Sequence, residues 1–139
     1  IFSTMLGSSN QKLYIHHSNN LMGPYFAHVQ NPVKDNISGT RPAGNFIEVD
    51  GNLYRPAQNS DKYYGSSINI NKVIFLDECK FIEEHYMTIK PDQNDYFKFG
   101  IHTINHLNGL IVVDGLRKTF LPFTQLAIFL KKGLMQNLK

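Results

Sequence analysis

Eight side chains in this chain have the types that recognise small polar molecules, and they fall in two groups. Arg41, Arg55, Gln58, Asn59 and Tyr64 lie close together in the first; His102, Thr103 and Asp114 form the second. Arginine presents a rigid donor fork that matches phosphate or carboxylate. Carboxamide, hydroxyl and imidazole groups exchange hydrogen bonds with sugar hydroxyls, and an aromatic face is a surface on which a sugar ring stacks. Arg41, Arg55, Gln58, Asn59, Tyr64, His102 and Thr103 are therefore the candidate ligand-binding residues, for a sugar or a sugar-phosphate. His102 and Asp114 are also the candidate catalytic pair, as groups able to do acid–base work. No glycine-rich phosphate loop, Ser-His-Asp order or metal-ligand spacing is present. His16-His17 look like a metal pair, but neighbours on a strand point to opposite faces. No metal and no cofactor is expected.

Each group also has a structural reading. Arg41 can pair with Asp35 or Asp61, Gln58 and Asn59 can form turns, and His102 can be a satisfied core histidine. Asp114-Gly115 can be another turn. Asp77-Glu78 and Glu83-Glu84 look like paired carboxylates, but on outer strands they read as solvated faces.

The elements that would bring the groups together are hairpins. Asp50-Gly51 and Asn108-Gly109 are dipeptides favoured by two-residue loops, in which both central residues need positive φ. The two regions align weakly: Phe46 with Ile104, Val49 with Leu107, Gly51 with Gly109 and Leu53 with Ile111. A second alignment sets Leu13-Tyr14 against Leu53-Tyr54. Repeats of roughly 40–50 residues suit the four-stranded blades of a propeller. The turns predict the register. Val49 should face Asn52, Ala43 should face Gln58, and Arg41 should fall opposite Ser60. In the second hairpin Leu107 should face Leu110, Thr103 should face Asp114, and His102 should fall opposite Gly115. Both polar clusters then sit at the open end of their ribbons, on one face of the fold.

Other segments read as outer strands: 63–76, and 80–90 with its sequence KFIEEHYMTIK. Segment 21–33 reads as a Gly-Pro bend, a strand and an Asn-Pro exit. Leu126, Phe129, Leu130 and Leu134 lie at helical spacing, so a short amphipathic C-terminal helix is expected over 122–139. The expected division is the end of one blade at 1–33, a complete blade at 34–91 and an inner hairpin at 92–121. The fold class is all-β. A chain that begins IFSTMLGSS without methionine reads as a piece of something longer.

Bulk composition narrows the function. With 42% hydrophobic and 18% charged residues among 139, the chain is globular rather than disordered. Its net charge of +3 comes from scattered basic residues, so no nucleic-acid partner is expected. The single cysteine, Cys79, excludes an internal disulfide and a cysteine-rich zinc site. No apolar run is long enough for a transmembrane segment. Nothing indicates a compartment.

Several motifs together carry a resemblance: Gly23-Pro24-Tyr25, His28, Asn31-Pro32-Val33, Arg41 to Gly44, Leu53 to Gln58, Tyr64-Gly65 and Gly100 to Thr103. Over roughly residues 10 to 117 the chain resembles the closing blades of five-bladed β-propellers of carbohydrate-active enzymes. The nearest is the propeller of glucosamine inositolphosphorylceramide glycosyltransferase-type proteins. Two positions depart from that pattern: Tyr25 replaces a tryptophan, and Val29 rather than proline follows His28. The resemblance implies a partial propeller of about two and a half blades over 1–121, completed by missing blades of a parent protein. It implies carbohydrate recognition on the channel face, in a glycosyltransferase-type protein. Related sucrase- and arabinanase-type propellers hydrolyse sugars with separated carboxylates. Their acid is a glutamate where this chain has Arg41-Pro42, and arginine does not donate a proton near neutral pH. A glycoside hydrolase of unusual chemistry, using His102 and Asp114, and a non-catalytic protein-interaction module are the alternatives.

Overall fold

A computed structural model describes residues 1–5, 7 and 11–118. The helix expected over 122–139 lies outside the described residues. Within them the chain is all-β: β1 (Phe2–Ser3), β2 (Lys12–His17), β3 (Phe26–Ala27), β4 (Lys34–Asp35), β5 (Ser38–Pro42), β6 (Ile47–Val49), β7 (Asn52–Asn59), β8 (Ser67–Leu76), β9 (Phe81–Ile89), β10 (Ile104–Leu107) and β11 (Leu110–Val113). They form three antiparallel sheets, none of them closed. In the first, β2 pairs with β1, β3 and β4. In the second, β5 and β6 both pair with β7, followed by β8 and β9. The third is the β10–β11 hairpin.

Both predicted turns form. Asp50 and Gly51 have φ of 49° and 71°, and Asn108 and Gly109 have 51° and 79°, the left-handed pair that matches the twist of a tight hairpin. The register next to them is as the turns require, with Val49 opposite Asn52 and Leu107 opposite Leu110. Further from the first turn the expected register fails. Pro42 pairs with Ala57 and Ser38 with Asn59, so Ala43 does not face Gln58 and Arg41 does not reach the position opposite Ser60. Two irregularities cause this: the chain leaves the ladder between β5 and β6, and the register shifts again within β5 between Ser38 and Pro42. Ala43 donates its N–H to the Pro56 carbonyl, while its own carbonyl accepts from Ile104 N at 2.8 Å. The chain leaves the ladder to reach the second hairpin. Two further boundaries also move: residues 34 and 35 pair with β2 instead of opening the central sheet, and segment 63–76 contains one ten-residue strand.

Alternation along the central sheet decides what each face meets. Tyr54, Ile68 and Ile70 share one face, which packs with Ala43, Ile101, Ile104 and Ile89. Val73 lies on the opposite face, with Phe81 at the outer end of the sheet, beside Leu13, Ile15, Phe2 and Val33 of the first sheet. Residues 55–58 of β7 and 67–71 of β8 are thus buried whichever face they take, whereas most of β9 is exposed.

That second face also encloses charge. Arg55 is 1% exposed. Its Nε donates to Glu83 Oε2 at 2.7 Å and its Nη2 to Glu83 Oε1 at 2.6 Å; Nη2 also donates to the Gly39 carbonyl at 2.6 Å. Lys34 Nζ donates to Glu83 Oε1 at 2.6 Å. The Glu83 side chain is only 6% exposed, which corrects its reading as part of a solvated face. Adjacent residues on a strand point to opposite faces, so Glu83 turns toward Arg55 while Glu84 stays exposed. Burial raises the pKa of Glu83, but hydrogen bonds and charge from Arg55 and then Lys34 outweigh it and hold the carboxyl below its ordinary 4.5.

A depressed folded-state pKa contributes stability that is present above the unfolded pKa and lost as pH falls through the folded one. Glu83→Gln should therefore lower unfolding free energy by about 3–5 kcal/mol at neutral pH, because it leaves a buried guanidinium unpaired. Denaturant titrations below pH 4.5 should show the wild type losing part of this advantage, with the variant lacking that component of acid sensitivity.

Candidate functional site

The site is assembled where the bulge, the turn after β7 and the approach to β10 meet. Ile101 N donates to the Gly65 carbonyl at 2.9 Å, and Leu116 N to the Gly100 carbonyl at 2.8 Å. Asn105 Oδ1 accepts from Asn45 N at 2.9 Å. These bonds hold His102 and Thr103 beside Tyr64 and Arg41.

Asp114 organises the imidazole. Its Oδ1 accepts from the backbone N–H of His102 at 2.6 Å and of Thr103 at 2.7 Å, and its Oδ2 lies 3.0 Å from His102 Nδ1. Its neighbour across the hairpin is Thr103, as the register predicts; Asp114 N donates to the Thr103 carbonyl. Burial raises the Asp114 pKa, yet the two backbone donors and the imidazole outweigh it and hold the carboxyl below its ordinary value. It is an orienting anion: it fixes Nδ1 and thereby the ring. The Cδ2–Nε2 edge of the ring lies over Gly65, where any Cβ would collide with it.

Tyr64 lies between two groups that bear or can bear positive charge. Its ring centroid is 4.9 Å from that of His102, at 37°, and the Arg41 guanidinium carbon is 5.3 Å from its centre, within cation–π range. Tyr64 is 49% exposed. Gln58 lies beneath, 4% exposed, with Nε2 donating to the His102 carbonyl at 3.3 Å and Oε1 buried without a partner. An unpartnered buried acceptor is costly and asks for a donor.

Of the residues the sequence picks out, Arg41, Gln58, Tyr64, His102, Thr103 and Asp114 come together. Arg55 is elsewhere, its fork taken by Glu83 and the Gly39 carbonyl. Asn59 closes the turn after β7, accepting from Asp61 N at 3.0 Å, and its amide nitrogen reaches Asn69 Oδ1 at 3.4 Å. Sequence reasoning missed the bracing role of Gly65; its adjacency to Tyr64 was the available signal. A wider cleft of about 600 Å³ is lined by residues including His16, His17 and Tyr25, and by none of the cluster. Among the described residues no group of three or more His, Cys, Asp or Glu is placed to hold a metal.

Comparison with known proteins bears on this arrangement. Residues 2–108 match the family model described as glucosamine inositolphosphorylceramide transferase 1, N-terminal. The chain belongs to this family. Two relatives named glucosamine inositolphosphorylceramide transferase 1, from the indica and japonica subspecies of Oryza sativa, are each 36% identical over 76 residues. The match covers 53% of this chain but 10% of each relative, so the chain spans only a small part of their length. No solved structure matches. The family match takes in Arg41, Gln58, Tyr64, His102 and Thr103; Asp114 lies beyond its end.

Gly65→Ala tests the bracing of His102. With φ of 74° and the imidazole against it, a methyl group should cost about 1–3 kcal/mol and separate the rings. In NMR spectra the ring-current shifts between Tyr64 and His102 should collapse, while the resonances of Leu13 and Ile15 in the other core stay in place.

Proposed function

We propose that this chain is the carbohydrate-recognising part of a glycosyltransferase-type protein, with a sugar or sugar-phosphate bound over Tyr64. What carries the reading is the position of the half-exposed Tyr64 ring between Arg41 and His102. In this reading Tyr64 stacks on the sugar ring and Arg41 engages a phosphate or carboxylate oxygen, while the buried Gln58 supports the site through the His102 carbonyl. Thr103 adds a hydroxyl, while Asn59 faces the other side of the sheet and is not part of this site. Arg55 serves it indirectly by fixing the backbone of residues 39 and 40. The names of the rice relatives join glucosamine to an inositolphosphoryl group, the kind of polyol-and-anion chemistry such a cluster suits.

The architecture we propose is a partial five-bladed propeller: the end of one blade, the complete β5–β9 blade, and the inner β10–β11 hairpin of a third. The cluster would then open onto the channel face. Support comes from the three successive antiparallel sheets and from the shared turn geometry of the two hairpins. Leu107, Leu110, Ile111 and Val112 are exposed, an apolar surface that further blades of a longer protein would cover. Hydrolysis has less behind it: Asp114 is committed to three donors, and the Nε2 edge of His102 lies on Gly65.

Calorimetry with glucosamine 1-phosphate and myo-inositol 1-phosphate tests the proposal. Arg41→Ala should weaken binding at least about tenfold with an unchanged melting profile, and Tyr64→Ala should weaken it by a similar factor. Wild-type affinity in both variants would overturn the reading.

A further inference from the structure

A second polar site lies on the other face of the central sheet. Residues 68 to 71 alternate Ile-Asn-Ile-Asn, and while the isoleucines enter the core, Asn69 and Asn71 are 8% and 3% exposed on the opposite face. Buried amides are costly unless their hydrogen bonds are met. They line a cleft of about 340 Å³ with Lys34, Ser38, Asn59 and Thr88, and no carboxylate is among its lining residues. That volume is at the lower end of the range for small-molecule sites.

Gly39 gives the cleft its focus. The position its missing Cβ would occupy is 3.4 Å from Asn69 Nδ2, 3.5 Å from Lys34 Nζ and 3.8 Å from Asn71 Nδ2. Three side-chain nitrogens thus border the space over Gly39 that is open because residue 39 has no side chain. Each has protons to spare. Lys34 Nζ has given one of three to Glu83. Asn69 Nδ2 has given one of two to Ser38 Oγ at 3.2 Å, and Asn71 Nδ2 one of two to the Arg55 carbonyl at 3.5 Å. The Cβ position itself is a bond length from the Gly39 Cα, so an anion's oxygen would rest farther out, in van der Waals contact with Gly39 and between the three nitrogens.

Charge favours the same ligand. Lys34 and Arg55 are two cations sharing the single carboxylate of Glu83, so the wall of the cleft carries one uncompensated positive charge. The cleft is open to solvent, so that charge can meet an anion arriving from solution.

We propose that Lys34, Asn69 and Asn71 form an oxyanion cradle over Gly39 that binds a phosphate group, separately from the Arg41–Tyr64–His102 cluster. Ser38 and Thr88 supply hydroxyls to whatever the phosphate carries. Asn59 holds Asn69 in place through its amide, as does Thr88 Oγ1, which donates to Asn69 Oδ1 at 2.9 Å.

The test is titration of the full chain with inorganic phosphate and with glycerol phosphate, followed by NMR of the asparagine side-chain amides. The expected result is saturable movement of the Asn69 and Asn71 signals. Lys34→Met should weaken it at least about tenfold, whereas Arg41→Ala should leave it unchanged. Tighter binding of glycerol phosphate than of inorganic phosphate would assign the ligand as a phosphate ester; equal binding would assign free phosphate. If the wild-type signals do not move, or Lys34→Met binds as the wild type does, the cradle is refuted. Because the first criterion needs no variant, it stands even where Lys34→Met folds poorly. Failure here leaves the Arg41 site untouched, since that site is read out through Arg41→Ala.

Discussion

The carboxylate of Glu83 is the point on which four strands depend. It comes from β9, receives the guanidinium of Arg55 from β7 and the ammonium of Lys34 from β4, and through Arg55 Nη2 it is coupled to the Gly39 carbonyl on β5. Two cations and one anion in a space with little water make a strong local field, and the attraction has to offset the desolvation of all three. The geometry is bidentate and short, the arrangement in which such pairs hold best. Arg41 follows Thr40 on β5, so the position of its guanidinium over Tyr64 depends on a strand whose backbone this network grips.

The network also explains why the two faces of the central sheet do different things. The isoleucine face needs only shape, and it seals against Ile101 and Ile104. The asparagine face surrounds the ions and satisfies their surroundings with amides and hydroxyls. A strand of alternating Ile and Asn gives both faces at once, because successive side chains point in opposite directions. Its cost is a set of half-satisfied amide protons around Gly39, the same feature that makes an anion welcome there.

Much of this was legible in the sequence. The Asp-Gly and Asn-Gly turns name their own geometry, so the hairpins and the pairing of Thr103 with Asp114 could be read from residue types alone. Arg41, Gln58, Tyr64 and His102 do lie together, but Arg41 reaches the cluster by a register other than the one the first turn predicts. The bulge at Ala43 and Gly44 could not be read, because its cause is a distant strand: Ile104 pulls the Ala43 carbonyl out of the ladder, and a Cβ on Gly44 would strike the Ile104 carbonyl. The inward turn of Glu83 was hidden for a related reason. A glutamate pair on a strand looks solvated until it is known that one of its two faces meets Arg55 and Lys34. Arg55 looked like a ligand residue because its partners come from residues 34, 39 and 83, which no local pattern connects.

Half of the candidate site hangs on the β10–β11 hairpin, and two strands are barely stable alone in water. Leu110 to Val113 are exposed, so the ribbon draws little from burial of its own apolar residues. What fixes it is a set of close backbone approaches: Ile101 to Gly65, Ile104 to Ala43, and Leu116 to Gly100. Gly44, Gly65 and Gly100 each leave room that a Cβ would fill with a clash, so the ribbon sits nearer to the central sheet than side-chain packing would allow. Asp114 then carries that closeness to the chemistry. By accepting from two consecutive backbone donors and from the imidazole, it converts the position of the ribbon into the orientation of one ring, and the stacking of that ring on Tyr64 sets its distance from Arg41.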